Sequence, residues 1–228
     1  MRKGECAVAY QWTTELPSGL IVVTKEDGSQ FVPTLTAARA VNMDRVYDRW
    51  GPMVRRLSNA YGLPRWQWGA AMIYQESLGN ERAFRQERHA DGTPIVSQPS
   101  GRPLTGVGLM QITSEALKGH YTDEQLYDPE LNIRIGLSYI RNLYNRYGDD
   151  FPKLSAAFNA GSVRPSDKNP WGMYCYGSHV DSEVSAMNYA ILRELDEHQV
   201  PMPLLIDMVD LARTADDAAR ENEPDPAA

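Results

Sequence analysis

Glu76 is the residue in this chain best placed for acid–base chemistry. It follows Ala70, Ala71, Met72, Ile73 and Tyr74, near the C-terminal end of a helix expected over 64–77 with Trp66, Ala70 and Ile73 on one stripe. Apolar surroundings on one side withdraw water from a charged carboxylate, so its pKa rises and it can hold a proton near neutrality. Moving a glutamate from about 4.3 to about 6 costs roughly 2.3 kcal/mol, which a domain of this size can carry. Taken alone, a glutamate at a helix end is more often a solvated charge.

Other chemistries find little support. His89, His120, His179 and His198 include no pair at ligand spacing on a common helix and no cysteine pair lies nearby in sequence, so no metal site is expected; Cys6 and Cys175 could pair, but without a secretory signal both read as free thiols. Gly106-Val107-Gly108 lacks a preceding strand and the third glycine of a dinucleotide loop. No Gly-Lys-Ser/Thr phosphate loop occurs, and no cofactor is expected.

The elements that would position Glu76 are mainly helical. Residues 1–35 differ: Gly19–Thr24 and Gln30–Val32 flank Asp27-Gly28 and predict a β-hairpin arm. From Thr36, Val46, Trp50, Val54, Leu57 and Tyr61 recur at helical spacing, and Gly62 and Pro64 separate this helix from the one carrying Glu76. Residues 79–107, with Asp91-Gly92, Pro94, Pro99, Gly101 and Pro103, read as one long loop. Asp128-Pro129 opens a helix carrying Ile133, Leu137, Ile140, Tyr144 and Tyr147 and closed by Gly148. A shorter helix over about 151–160 ends at Gly161, and an aromatic loop around Trp171 follows. Ser178 and Asp181 read as a capping box for a helix with Val184, Met187, Ile191 and Leu195. The expected divisions are thus 1–35, a main domain 36–198, an amphipathic helix 199–219 and a flexible tail 220–228.

The chain of 228 residues carries 23 Lys+Arg against 30 Asp+Glu, a net charge of −7, so no nucleic-acid partner is expected. It has no apolar run of the roughly 18 residues a membrane span needs. The start, Met1 to Trp12, lacks the apolar stretch of a secretory signal, which leads to the expectation of a protein made in a cytoplasm without export.

Four blocks change the standing of Glu76. Gln75-Glu76-Ser77, then Gly106-Val107-Gly108-Leu109-Met110-Gln111-Ile112, then Asn132-Ile133 with Gly136 and Tyr139, then Ala156-Ala157-Phe158-Asn159-Ala160-Gly161 resemble, in order, the blocks of the soluble lytic transglycosylase (SLT) family. The resemblance covers roughly 50–195. It implies a mainly α (α+β), lysozyme-like domain that cleaves the MurNAc–GlcNAc bond of peptidoglycan glycan strands. It makes Glu76 the catalytic acid and Ser77 its positioning neighbour, with Met110, Gln111, Phe158 and Asn159 along the sugar groove. Phe158 stands where the family usually has Tyr. The family's later Tyr falls at His179 or at Tyr189, and position relative to Ser178 favours His179. Trp171, Tyr174 and Tyr176 read either as sugar-stacking or as core aromatics.

No second Asp or Glu falls in these blocks, which fits a single-acid reaction closing a 1,6-anhydro ring. Glu81, Glu87 or Asp91 could instead supply the second carboxylate of a lysozyme-type hydrolase or endolysin. A non-catalytic structural or glycan-binding role is a third reading, which the Phe158 change favours. The 159–172 stretch resembles phage-encoded members of the family. With no export signal seen, this leads to the expectation of a virion-associated enzyme acting on the periplasmic wall, bound to tail or internal proteins through 1–35 and 199–228.

Overall fold

The computed structural model describes residues 10–13, 18–89, 91–97, 101–113, 117 and 119–198. The expected helix 199–219, the tail 220–228 and Cys6 lie outside the described residues. Described residues up to Val41 and from Tyr147 onward form one compact unit, and Asn42–Arg146 form another.

In the first unit, β1 (Gln11–Thr13), β2 (Val22–Thr24) and β3 (Gln30–Phe31) make an antiparallel sheet in the order β1-β2-β3. The expected hairpin is β2–β3, with Val23 opposite Phe31 and Thr24 opposite Gln30. Its turn is held by Asp27, whose Oδ1 accepts from the Ser29 N–H at 2.9 Å, and by Gly28 at φ +83. Strand β1, too short to show a period, completes the sheet through Trp12 opposite Val23. The sheet is not a free arm. Leu20, Ile21, Val22, Val23 and Val32 are all buried, and burial of each such side chain is worth about 1.5–3 kcal/mol.

This unit also holds α5 (Phe151–Ala160) and α6 (His179–Glu197), which pack together. Asn188 of α6, fully buried, accepts from the Ile21 N–H at 2.9 Å and donates to the carbonyls of Ile21 and Pro33 at 3.1 and 2.7 Å. Helix α5 begins at the Asp150 cap and ends at Gly161, whose φ of 78 suits a residue without Cβ. The expected capping box at Ser178 does not form. The Ser178 side chain makes no cap bond, and Asp181 instead accepts from the Trp171 indole N–H.

The second unit holds α1 (Ala37–Ala60, from Asn42 onward), α2 (Gln67–Ser77), α3 (Asp123–Leu126) and α4 (Pro129–Tyr147, to Arg146). Asp128 caps α4 by accepting from the Leu131 N–H at 2.7 Å. A capping box does occur at α3, between Thr122 and Gln125.

The 79–107 segment is not one loop. β4 (Phe84–Gln86) pairs antiparallel with β5 (Thr105–Val107), and bridges at Arg88–Pro94 and Val96–Pro103 continue the ribbon. Two strands of three residues each, Phe-Arg-Gln and Thr-Gly-Val, are too short to carry a readable alternation; the pairing is fixed across the chain rather than along it. Among the described residues, no helix is long and apolar enough to cross a membrane.

Candidate active site

Helix α2 is buried all round from Trp68 to Tyr74. Gly69 explains how it fits: a Cβ there would stand 2.8 Å from Val54 Cγ1 of α1 and 2.8 Å from Leu137 Cδ2 of α4. Only the last turn, Gln75, Glu76 and Ser77, regains partial exposure. Glu76 is therefore delivered at the edge of an apolar core.

The chain turns sharply just after Glu76, and polar bonds fix the turn. Ser77 Oγ donates to the Ile73 carbonyl at 3.1 Å and accepts from the Gly79 N–H at 3.2 Å. The Trp50 indole N–H donates to the Gly79 carbonyl at 2.9 Å. Leu78 caps α2 in the left-handed region at φ 52, and Gln111 has φ 48; among the described residues these are the two non-glycines with positive φ. Each such residue costs about 1–2 kcal/mol, and strain of this kind gathers at functional sites, where the surroundings hold it.

Gln111 is held by its own side chain, whose Nε2 donates to the carbonyls of Gly108 at 3.0 Å and Ala83 at 3.3 Å. Ala83 also accepts from the Gly108 N–H at 2.8 Å. Met110 is 1% exposed, so its side chain faces core rather than an open groove, and its N–H donates to Asn132 Oδ1 at 2.8 Å.

Burial pushes the Glu76 carboxyl up from 4.5 to about 7; Arg85 opposes this and Glu87 adds to it. Arg85 and Glu87 are bound to each other, Nε to Oε1, at 3.0 Å. The other two acids considered lie in different settings. Glu81 pairs with Arg49, and a backbone hydrogen bond and that pairing hold it below the usual range despite some burial. Asp91 caps its own turn, and the Thr93 hydroxyl holds it low. Arg85 is the residue that sequence reasoning did not find. Its position follows from the β4–β5 pairing, which sets Arg85 opposite Gly106, and no local pattern announces it.

Phe158, Asn159 and His179 belong to the first unit, whereas Glu76, Ser77, Met110 and Gln111 belong to the second. Phe158 and Asn159 are partly exposed at the end of α5, and Asn159 Oδ1 accepts from the Tyr176 N–H at 2.7 Å. His179 opens α6 with Nδ1 against the Tyr176 carbonyl oxygen. Tyr189 is partly exposed further along the same helix. Trp171 is 1% exposed and packs against Tyr10 and Trp12, which makes it a core residue.

A strained turn and a protonatable glutamate at the end of a buried helix accompany a match to the Transglycosylase SLT domain over residues 53–170, and the chain belongs to that family. Among individual relatives, the soluble lytic murein transglycosylase of Escherichia coli (strain K12) is 26% identical over 115 residues. The protein of the same description from Escherichia coli O157:H7 gives the same figures. The match covers 50% of this chain but 16% of each relative.

Proposed function

We propose that this chain is a peptidoglycan lytic transglycosylase that cleaves the β-1,4 bond between MurNAc and GlcNAc. The observation that carries the reading is the Glu76 carboxyl, raised to about 7 at the end of a buried helix in a member of this family. A group with that pKa is both protonated enough to give a proton and ionised enough to take one back at neutral pH.

In the proposed reaction Glu76 gives its proton to the glycosidic oxygen, and the C1–O bond breaks with its electron pair leaving on that oxygen. The resulting carboxylate takes the proton of the MurNAc C6 hydroxyl while O6 bonds to C1 and closes a 1,6-anhydro ring. Glu76 ends protonated and no water is consumed. A nucleophile within the same sugar gains the proximity that an external one lacks. Glu76→Gln should lose about 10²–10⁴-fold in rate while the fold survives. Clearing of cell walls by Glu76→Gln at the wild-type rate would refute the reading.

One observation favours hydrolysis as a second reading. Of the three acids considered, Glu87 is the one whose charge is felt at Glu76. Were Glu87 to activate water, the product would carry a reducing end instead of an anhydro ring.

Delivery by a phage particle, after synthesis in the host cytoplasm and for action on the periplasmic wall, is the finer reading. It rests on the likeness of residues 159–172 to phage-encoded members, with 1–35 and 199–228 as the segments for tail or internal proteins. Detection by mass spectrometry in purified particles supports it. Absence from particles with abundance in lysing cells makes the protein an endolysin instead.

A further inference from the structure

Between α5 and α6 the chain makes a narrow ribbon. The Tyr174 N–H donates to the Arg164 carbonyl at 2.7 Å, the Ser166 N–H to the Gly172 carbonyl at 2.9 Å, and Pro165 bridges to Met173. Asn169 closes the tip: its Nδ2 donates to the Met173 carbonyl at 2.7 Å and its Oδ1 accepts from the Trp171 N–H at 3.0 Å. Trp171 anchors the ribbon in the core and donates its indole N–H to Asp181 on α6. These bonds make the segment a preorganised support, and its outward residues are what it presents.

Arg164, Pro165, Asp167, Lys168 and Tyr176 are exposed and Tyr174 is half-buried; of these, Arg164, Tyr174 and Tyr176 are joined to one another. Tyr176 is 58% exposed and meets Tyr174 edge to face at 5.3 Å between centroids. The Arg164 guanidinium lies 4.3 Å over the Tyr174 ring. Its Nη2 reaches the Ala160 carbonyl at 3.4 Å, which among the described residues uses one of its five N–H donors. Asn159 fixes the height of Tyr176 through its backbone N–H, so the last turn of α5 and the aromatic pair are one construction.

We infer that Arg164, Tyr174 and Tyr176 form a glycan-strand subsite, with the tyrosine rings covering the C–H face of a sugar and Arg164 holding a carboxylate. The inference rests on the proposed peptidoglycan substrate, whose MurNAc residues carry a lactyl carboxyl or, through it, an acidic stem peptide. Two arguments support it. Amphipathic aromatic rings held rigidly at a surface bind at low entropic cost. A chain of net charge −7 repels an anionic polymer at long range, so contact with its carboxylates needs a local cation held in place, which stacking on Tyr174 provides.

The test measures binding without turnover, in the full chain carrying Glu76→Gln. Retention on purified sacculi is compared with retention on chitin, which has the sugar faces but no carboxylates. On sacculi, Tyr176→Ala and Arg164→Gln should each weaken retention about fivefold to tenfold. On chitin, Tyr176→Ala should weaken it similarly and Arg164→Gln should leave it unchanged; Tyr176→Phe should bind like the parent on both. Circular dichroism melts of each variant identify any loss through unfolding. If the parent binds sacculi and both variants bind equally well, the subsite is refuted alone. If the parent itself fails to bind sacculi, the proposed function falls and the subsite with it.

Discussion

Asn132 on α4 holds Met110 by its backbone: Asn132 Oδ1 accepts the Met110 N–H at 2.8 Å, in a side chain with no exposed surface. Its Nδ2 donates to the carbonyls of Val107 and Leu126, both at 2.8 Å. One buried amide thus ties the 107–110 turn, and with it the position of Gln111, to α4 and to the end of α3. Replacement by Ala or Leu leaves three buried backbone groups without this partner, each worth about 1–3 kcal/mol when unsatisfied. Asn132→Leu should lower stability by about 3–5 kcal/mol, read from the urea midpoint, and should lower activity more than the loss of folded protein accounts for.

Gly136 makes room for Met110. A Cβ there would occupy the space of the Met110 thioether, with the Met110 Cβ 3.2 Å away. Methionine is flexible and can give way in part, so Gly136→Ala should cost about 1–3 kcal/mol. The double variant Gly136→Ala with Met110→Ala should recover part of that loss, a coupling that independent sites would not show.

How much of this was legible in the sequence depends on whether the cause was local. The helix from Pro129 could be read because Asp128, the proline and the apolar spacing lie side by side, and Gly161 marked the end of α5 in the same way. The apolar run before Glu76 offers a raised carboxyl pKa as one reading, but a solvated charge at a helix end is the stronger one until the four blocks are taken together. Strand β1, the β4–β5 ribbon and the role of Arg85 could not be read, because each depends on pairing between distant short segments. Ser178 shows the opposite failure: its capping pattern is present, but the buried Trp171 indole claims Asp181.

The Glu76 pKa gives a pH profile whose sign is fixed. An acid that must begin protonated makes kcat/KM fall above about pH 7, by about tenfold per unit once the group is ionised. Stability follows the same titration. With a folded pKa above the unfolded one, the contribution of Glu76 is fully present below pH 4.5 and is lost as pH rises through about 7. Glu76→Gln, which does not titrate, should therefore gain on the order of 3 kcal/mol over wild type between about pH 4.5 and pH 8, measured by urea unfolding at both.

Arg85 and Glu87 should move that profile in opposite directions. Removing the acid in Glu87→Gln should shift the alkaline limb to lower pH, and removing the cation in Arg85→Gln should shift it to higher pH. Arg85→Lys should restore the wild-type limb if charge is what matters. Unmoved limbs in both charge-removing variants would show that the pair acts only on the β4–β5 ribbon.

The central claim is that one acid and an internal hydroxyl break the glycosidic bond. Purified sacculi digested in ¹⁸O-labelled water and analysed by mass spectrometry test it most directly. Muropeptides ending in 1,6-anhydroMurNAc without the label are the predicted result. Reducing-end muropeptides carrying ¹⁸O would show water as the nucleophile and contradict it.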